Sequence, residues 1–471
     1  MKVIGSLIVI VLAALGFAWY SGNLTEQAME NYVATINEQP AYHAEMVSYE
    51  HGLFHSTANI NIQPDLSMLF GDLDPLTQQQ LFAMMGGIDQ GFGFNMDIYH
   101  GPVIFNNGFY MGLFKSKITL DQSSPFLAAA IPSNVDVNEY FDLDMQMNYF
   151  GQGQFEMTVD SYSSTDANGS YNWGGLELIS ELENYGQSYE MQGTVHPLSF
   201  ISPMFDLNTS SILMTANGVV GGLINDSDGK FSMASLNISA AGDDFSMNEL
   251  EMGVDIDTSD DGTFSIDYEI GTGLIDSSEM EQPINNITFD FSVHDLSIEG
   301  FTKFYNASLE TSSMTDPFQA QMLMMQSVAD LFEGTPVFEI KELSFSQGSD
   351  IDFEMSTDMG FTENVFANPA VVQGNPFLAI KSLKSNVDME FSAGFFTLAL
   401  EAYINNQFNG LEMDPQLLEQ MRQQQLAQVK TMTSGLIESG YLIFENDRYS
   451  LEAEMADGQL QVNGNPLPLP F

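Results

Sequence analysis

The six histidines are the residues of this sequence best suited to metal binding or proton transfer. Only His51 and His55 lie close together, four residues apart. Gly52 follows His51, so the pair does not form a His-Glu-x-x-His motif, and the surrounding residues are typical of an extended chain. In a strand, four residues span about 13 Å, which is too far for one metal ion. We therefore expect no metal site at these histidines.

A cluster of acidic residues could bind calcium, because carboxylates are its preferred ligands. With Gly262 at the glycine position of an EF-hand loop, the last ligand position falls on Tyr268 instead of Glu. A hairpin turn is therefore the expected structure. The cluster consists of Asp255, Asp257, Asp260, Asp261 and Gly262.

Motifs for the common kinds of catalysis are missing from the sequence. It contains no Gly-x-Ser-x-Gly, no P-loop and no Gly-x-Gly-x-x-Gly before a helix. It contains no cysteine, which excludes disulfides, thiolate catalysis and an acylated cysteine anchor. We predict a non-enzymatic protein with no catalytic, cofactor-binding or metal-binding residue. The remaining histidines are isolated in the sequence: His43, His100, His196 and His294.

The charge of the chain is strongly acidic, with 64 Asp and Glu against 11 Lys and Arg and a formal net charge of -53. The acidic residues alternate with apolar ones, which predicts a solvated acidic surface. Nucleic acid is not expected as a partner, because its binding needs clustered cations and the largest basic cluster is Lys381 with Lys384. A basic or cationic partner stays open, but adaptation to a salty habitat is the preferred explanation.

The N-terminus carries an apolar run. Lys2 precedes uncharged residues from Val3 to Tyr20, which as a helix would reach about 27 Å. The leading positive charge predicts a cytoplasmic N-terminus and export of the residues after Gly22. A cleaved signal peptide remains the alternative, because residues 16–18 form a small-x-small site. We expect residues 1–22 to be an uncleaved, single-pass anchor in the cell inner membrane, with the rest of the chain in the periplasm.

Alternation of apolar and polar residues dominates from about Ala44 onward and predicts half-buried strands. Asp-Gly pairs at 228–229, 261–262 and 457–458 lie between such segments and predict hairpin turns. The clearest alternating segments are 141–149, 264–270, 287–293, 351–355, 387–391 and 449–455.

Helices are predicted at four places. Leu24 to Ile36 has helical spacing, and three Asp-Pro pairs place a capping Asp before Pro at the first helical position. These pairs begin at Asp74, Asp316 and Asp414, and the last two helices should end near Phe332 and Ile437. The expected fold is mainly β with several helices (α+β), an antiparallel, elongated or curled sheet with one N-terminal transmembrane helix.

Composition divides the chain into three expected regions. Residues 1–22 are the membrane anchor, residues 23–310 a β-rich periplasmic region and residues 311–471 a C-terminal region of helices and strands. The sequence contains no Pro-rich or Ser-rich linker, so the division between the second and third regions rests on the start of the Asp316 helix.

Three short motifs give the chain a family resemblance: Tyr49 to Ser56 (Tyr-Glu-His-Gly-Leu-Phe-His-Ser), His100-Gly101-Pro102, and residues 457–464. With the anchor and the late helix, they make the chain resemble the YdgA-like family of proteobacterial envelope proteins, a domain of unknown function (945). His51 stands where the family usually has a basic residue. The resemblance implies an inner-membrane-anchored periplasmic protein of mostly β structure, and it brings no catalytic or binding residue.

Three functions stay open at this point. The first is a partner-binding or envelope-organising protein. The second is a lipid or hydrophobic-ligand binding protein, because 29 Met and 36 Phe suit adaptable apolar surfaces. The third is an envelope hydrolase using paired carboxylates, which leave no sequence signature. A closed core would favour the first, a dry groove lined by Met and Phe the second, and facing carboxylates in a cleft the third.

Overall fold

A computed structural model gives the fold over most of the chain after the N-terminal apolar run. Nearly all of the predicted anchor and the whole Asp74-Pro75 helix lie outside the described residues. Within the described ranges, no helix combines the length and hydropathy that a membrane crossing requires. The described residues are 20–34, 36–37, 42–64, 91–101, 103–105, 109–124, 136–166, 169–219, 223–240, 243–278, 280, 282–314, 316–367, 380–408 and 415–468.

The described chain begins with helix α1 over residues 20–34, and residues 36–37 are again helical. This confirms the helix predicted from Leu24 to Ile36. Strands follow α1. The alternation of apolar and polar residues explains them, because successive side chains on a strand point to opposite faces of the sheet. The first thirteen are β1 Tyr42–Glu50, β2 His55–Pro64, β3 Phe92–His100, β4 Phe114–Leu120, β5 Phe141–Met147, β6 Gly153–Val159, β7 Tyr162–Asp166, β8 Gly169–Trp173, β9 Leu176–Glu183, β10 Ser188–Val195, β11 Leu198–Ile201, β12 Phe205–Thr209 and β13 Ile212–Val219.

Eleven further strands and four helices follow in the described part of the chain. In order they are β14 Ser227–Ala240, β15 Asp243–Thr258, β16 Thr263–Ser277, β17 Ile284–Ser297, α2 Ile298–Ser313, α3 Pro317–Leu331, β18 Val337–Gln347, β19 Ile351–Phe361, β20 Leu383–Ser392, α4 Ala393–Phe408, α5 Pro415–Glu438, β21 Ile443–Glu445, β22 Arg448–Ala456, β23 Gln459–Val462 and β24 Asn465–Leu467. Short 3-10 turns cover Val137–Glu139, Asn184–Gly186, Phe332–Gly334 and Val365–Ala367.

The helices predicted at Asp316-Pro317 and Asp414-Pro415 are confirmed as well. The Asp316 side chain caps α3 by accepting a hydrogen bond from the Phe318 backbone N–H at 3.0 Å. Helix α5 begins at Pro415 and ends at Glu438, next to the predicted end at Ile437. Helices α2 and α4 were not predicted from the sequence.

Two of the three predicted Asp-Gly hairpins are confirmed. Asp261-Gly262 turns between β15 and β16, and Asp457-Gly458 turns between β22 and β23. Both glycines have a positive φ, of 85° and 73°. The prediction at Asp228-Gly229 is wrong, because these residues lie inside β14. All pairings given for the strands are antiparallel, so the expected antiparallel, mainly β fold with several helices is confirmed as an open sheet.

The chain divides into two compact units, Met1–Pro203 with Leu207–Phe231, and Met204–Asp206 with Ser232–Phe471. The boundary expected at residue 310 lies within α2 of the second unit and stays a prediction drawn from composition. In the first unit, strands β1 to β6 form a meander in sequence order. Strand β6 then pairs with β9, β9 with β10 and β10 with β13, while β8 pairs with β7 and β11.

The second unit contains another meander, from β15 through β20 and on to β22 and β23. Its alternation places acidic residues on one face and apolar residues on the other. On the apolar face, Phe353 lies opposite both Phe345 and Phe391. Helix α2 packs against α3, and α4 packs against α5 through Leu400 and Ile404.

The core of the first unit lies between α1 and the meander. Met29 of α1 is almost fully buried among side chains of β2 to β5, including Ile98 and Phe114. Helix α1 is therefore part of the folded unit. Its burial against the sheet positions an apolar groove beside the helix and a set of polar contacts at the start of the helix.

Candidate functional site

An apolar groove runs beside α1 on the face of the sheet that the helix covers. Its volume is about 340 Å³. Among the described residues that line it, Tyr32 brings the only polar side-chain group. Four methionines and three phenylalanines contribute to the wall: Met29, Met96, Met145, Met157, Phe94, Phe141 and Phe155.

Strand register explains why these side chains converge. Residues of one strand that lie two apart face the same side of a sheet, and residues in register on neighbouring strands continue the row. Met145 lies opposite Phe155, and Leu143 lies opposite Met157. The alternation read from residues 141–149 therefore forms one wall of the groove, which runs across β2 to β6.

A larger and more polar cavity of about 900 Å³ lies at α1 and the turn between β9 and β10. Gln27 and Asn31 of α1 line it together with Asn184 and Gln187 of the turn. Tyr32 lines both cavities. About 45% of Tyr32 is accessible, yet the surrounding protein desolvates its phenol and raises its pKa above 10.0. Both facts agree if the accessible surface of Tyr32 faces the cavities.

The start of α1 is held by the residues of two family motifs. A Cβ added at Gly22 would lie 2.7 Å from Cε1 of His51 and 2.8 Å from Cε1 of His100. The rings of these two histidines lie 6.0 Å apart. Only glycine fits this contact without displacing a ring, so the first and second motifs form a common seat for α1.

Hydrogen bonds complete this seat. The Ser21 hydroxyl lies 2.9 Å from the Tyr149 hydroxyl, and the Tyr49 hydroxyl donates to the Gly22 carbonyl at 3.4 Å. His51 Nδ1 lies 3.7 Å from a carboxylate oxygen of Glu26 on α1. Burial raises the pKa of Tyr49 and of Tyr149 above the ordinary value of 10.0. The seat is therefore polar, and the groove is apolar.

Ser56 and His100 form a pair that could suggest nucleophilic chemistry. Ser56 Oγ lies 2.9 Å from Nε2 of His100, within the distance at which a histidine can activate a hydroxyl. Both residues are 1% exposed or less, and Ser56 Oγ also accepts a hydrogen bond from the Gly52 backbone N–H at 3.2 Å. This geometry ties the turn between β1 and β2 to the end of β3, which agrees with a role in folding.

The two histidines spaced four apart face different partners. His51 lies in the turn after β1 and faces Glu26, while His55 begins β2 and lies 3.2 Å from Asp97. In the part of the chain that the structure describes, no group of three or more His, Asp or Glu could hold a metal ion.

The acidic cluster before Tyr268 forms a hairpin, as predicted. Asp255 and Asp257 lie in β15, and the Asp261 carboxylate accepts hydrogen bonds from the backbone N–H and the hydroxyl of Thr263 at 3.2 and 2.8 Å. These bonds lower the pKa of Asp261. The carboxylate thus closes the turn.

Facing carboxylates occur in the second unit, where Glu354 of β19 lies opposite Glu390 of β20. Both side chains are exposed on the face of the sheet. Neither was singled out by the sequence, because 64 acidic residues make each one uninformative.

The residues of the groove and of the α1 seat were not predicted as a site. Alternation in residues 141–149 was the available signal for the groove, and the motif residues 49–56 and 100–101 were the signal for the seat. No local pattern shows that either set contacts α1.

Comparison with known proteins gives a family for the chain. No curated protein and no solved structure matches it. The model of a family described as "Bacterial protein of unknown function (DUF945)" matches residues 1–470. The chain therefore belongs to the DUF945 family, the family that its three motifs indicated.

Proposed function

We propose that this protein is a non-enzymatic, membrane-anchored envelope protein that binds an apolar chain, such as the acyl chain of a lipid, in the groove beside α1. The observation that carries the proposal is the lining of that groove by Met and Phe side chains. Of the three functions open from the sequence, this is the one that such a groove favours.

The size and chemistry of the groove suit an acyl chain. Ligand pockets commonly measure about 300–1,000 Å³ and are mostly apolar with few polar groups. At about 340 Å³, with one phenol in its described lining, the groove offers contacts to methylene groups and little that would orient a polar molecule. An acyl chain would cover apolar wall that otherwise contacts water, at about 25 cal/mol per Å² buried.

The methionines favour a tolerant binding site. Their side chains are unbranched and polarizable, so they adapt to apolar ligands of different shape. Met96, Met145 and Met157 come from three different strands, and Met29 comes from α1. We therefore expect a preference for chain length and apolarity over selection of one headgroup.

The expected membrane anchor at residues 1–22 supports the same proposal. Helix α1 follows the apolar run from Val3 to Tyr20 directly, and Met29 and Tyr32 of α1 line the groove. If residues 1–22 span the inner membrane with the rest of the chain in the periplasm, the groove is held near the bilayer that supplies its ligand. A curled sheet around α1 would fit this role.

Partner binding and hydrolysis, the other two functions open from the sequence, predict different observations. Protein partner binding, the function expected first from the sequence, would leave the groove without lipid. A hydrolase using paired carboxylates would act at acidic pairs such as Glu354 and Glu390, which belong to the second unit.

Two measurements test the proposal. Native mass spectrometry of the full chain, released gently from membranes, detects lipid that stays bound. Binding of the fluorescent fatty acid cis-parinaric acid, and its displacement by lipid, reports the affinity of the groove. Met157→Gln removes apolar character from the groove wall at nearly constant side-chain size. Thr158→Gln changes the neighbouring exposed residue, which points to the other side of β6, and serves as the matched control.

We expect co-purified lipid on the wild-type chain and on Thr158→Gln, and less on Met157→Gln. Burying an amide against a methylene chain costs about 0.5–2 kcal/mol, which corresponds to roughly 2- to 30-fold weaker binding of the probe. A wild-type chain that carries no lipid and binds no probe would contradict the proposal. A protein companion in place of lipid would favour partner binding.

A further inference from the structure

One end of the first unit carries exposed apolar side chains around the start of α1. We propose that this end, named here the anchor-end surface and formed by Leu53, Phe54, Phe105, Phe109, Met111 and Phe150, lies in the headgroup region of the bilayer and holds the unit against the membrane. The proposal rests on the N-terminal anchor and is independent of ligand binding in the groove.

The connectivity of the meander places these residues together. Strands β1, β3 and β5 run toward the start of α1, and β2, β4 and β6 run away from it. The described residues of the connections at 51–54, 101–113 and 148–152 therefore lie at one end. The turn at 184–187 joins them, because the Tyr185 hydroxyl donates to the Tyr149 carbonyl at 2.8 Å.

Direct contacts place the start of α1 at the same end. Ser21 contacts Tyr149, whose neighbour is Phe150, and Gly22 contacts both His51 and His100. The His100 backbone N–H donates to the Phe54 carbonyl at 3.0 Å. The apolar run that ends at Tyr20 therefore enters the unit among these connections.

The exposure of these side chains is large for aromatic residues. Phe150 is 85% exposed and Phe105 is 80% exposed, and the rings of Phe105 and Phe109 contact each other at 5.8 Å. Contiguous exposed apolar surface marks a contact with a partner or a membrane, and aromatic residues favour the membrane interface.

Charge distinguishes this end from the rest of the chain. None of the four connections contains Asp, Glu, Lys or Arg, in a chain with 64 acidic residues. At the opposite end of the same meander, the described residues between β4 and β5 include Asp121, Asp136 and Glu139. Connections without charged residues suit a bilayer, because acidic residues within them would oppose approach to anionic lipid. Carboxylates border this surface: Glu50 and Glu183 end the strands that lead into two of the connections, and Glu26 faces His51.

The lack of cysteine makes a direct test possible, because single-cysteine variants can be labelled without removing native thiols. Full-length Phe105→Cys and Phe150→Cys are labelled with nitrobenzoxadiazole and reconstituted into phosphatidylcholine vesicles, with and without nitroxide-labelled lipid. Tyr140→Cys is the control, because Tyr140 is exposed and precedes β5 at the opposite end of the sheet.

We expect the probes at 105 and 150 to emit at shorter wavelength and to be quenched at least about twofold more than the probe at 140, because interfacial side chains reach about 5–10 Å into the bilayer. If all three probes report water while the protein floats with the vesicles, the surface does not contact lipid and the proposal is wrong. Failure of the chain to float would overturn the anchor and this proposal together, but not ligand binding in the groove, which mass spectrometry tests separately.

Discussion

Glu354 on β19 lies directly opposite Glu390 on β20, and further pairs of acidic residues face each other across the second unit. Like charges opposite one another destabilise a pair of strands. Arg448 offsets part of this repulsion, with Nη2 at 3.2 Å from Glu390 and Nη1 at 2.6 Å from Asp352. Further opposed pairs are Asp255 with Asp267, Asp290 with Glu342, Glu339 with Asp358, and Asp388 with Glu452.

This acidic face predicts that salt stabilises the folded chain. The Debye length falls from about 10 Å at 0.1 M salt to about 3 Å at 1 M, so added salt screens the opposed carboxylates. We expect the free energy of unfolding in urea to rise between 0.1 and 1 M NaCl. A fall over this range would show that attractive ion pairs outweigh the repulsion. Such a dependence would also fit the salty habitat that the composition indicates.

A single substitution tests the same repulsion. Glu354→Gln removes one of two opposed charges and keeps the side-chain size, so we expect a gain in stability of about 0.2–1 kcal/mol. Glu183→Gln is the matched control, because Glu183 is an exposed strand residue opposite Ser188 and should change stability little. The two variants should converge in 1 M NaCl. Equal effects at low salt would argue against a specific repulsion between Glu354 and Glu390.

Replacing glycine by alanine should have opposite effects on stability at two glycines that lie in helices, Gly22 of α1 and Gly435 of α5. Gly22→Ala would place a methyl group 2.7 Å from His51 and 2.8 Å from His100. Overpacking costs about 1–3 kcal/mol and exceeds or cancels the helix-propensity gain of about 1 kcal/mol. Gly435→Ala in α5 meets nothing within 4 Å and should stabilise.

Urea unfolding of both variants checks this contrast. If Gly22→Ala stabilised the protein as much as Gly435→Ala, the contact between α1 and the two histidines would not be tight. Lipid flotation of the Gly22 variant should be unchanged, because the apolar run from Val3 to Tyr20 is intact.

Much of the strand and helix content follows from local sequence. Alternation locates β5, β16, β17, β19, β20 and β22, because one face of each strand is apolar and the other polar. Asp316-Pro317 predicts α3 because both the cap and the first-turn proline act within a few residues. The prediction at Asp228-Gly229 failed because the pairing of β14 with its neighbouring strands outweighs the turn preference of two residues.

Helices α2 and α4 lack such local signals. Each directly follows a strand and is capped by a serine: Ser297 accepts from the Gly300 N–H at 3.0 Å, and Ser392 accepts from the Phe395 N–H at 3.1 Å. Serine is common outside caps as well, and the apolar residues of α4 can be read as strand alternation. Tertiary packing therefore decides these segments.

The site could not be predicted for a different reason. Ser56 and His100 are 44 residues apart, and Ser21 and Tyr149 are 128 apart. The sequence shows the motif residues, but their contact with α1 depends on the order in which the strands pair. The groove likewise requires five strands in register and one helix, and no single alternating segment reveals it.

The Asp316 cap at the start of α3 was predicted from the sequence, and substitution of Asp316 tests how much it stabilises the helix. Asp316→Ala removes the acceptor for the Phe318 N–H, and we expect a loss of about 0.5–2 kcal/mol, while Asp316→Asn should retain most of the stability. The urea midpoints of the two variants, at unchanged slope, report the difference. Equal losses would mean that the negative charge, and not the hydrogen bond, stabilises the start of α3.

The tyrosines at the α1 seat predict a loss of stability at alkaline pH. Burial raises the pKa of Tyr49 and Tyr149 in the folded state above the value of about 10 expected in the unfolded chain. Their contribution is therefore complete below pH 10. Above it the unfolded chain releases these protons first, so stability falls as the pH rises through the folded pKa values.

The double variant Tyr49→Phe, Tyr149→Phe checks this assignment by urea unfolding between pH 8 and 11. We expect it to be less stable than wild type at pH 8, because the bonds to Ser21 and to the Gly22 carbonyl are lost, and to lose less stability on going to pH 11. Tyr140→Phe, at an exposed position, should follow the wild-type curve. A double variant that loses as much stability as wild type would place the alkaline transition elsewhere in the protein.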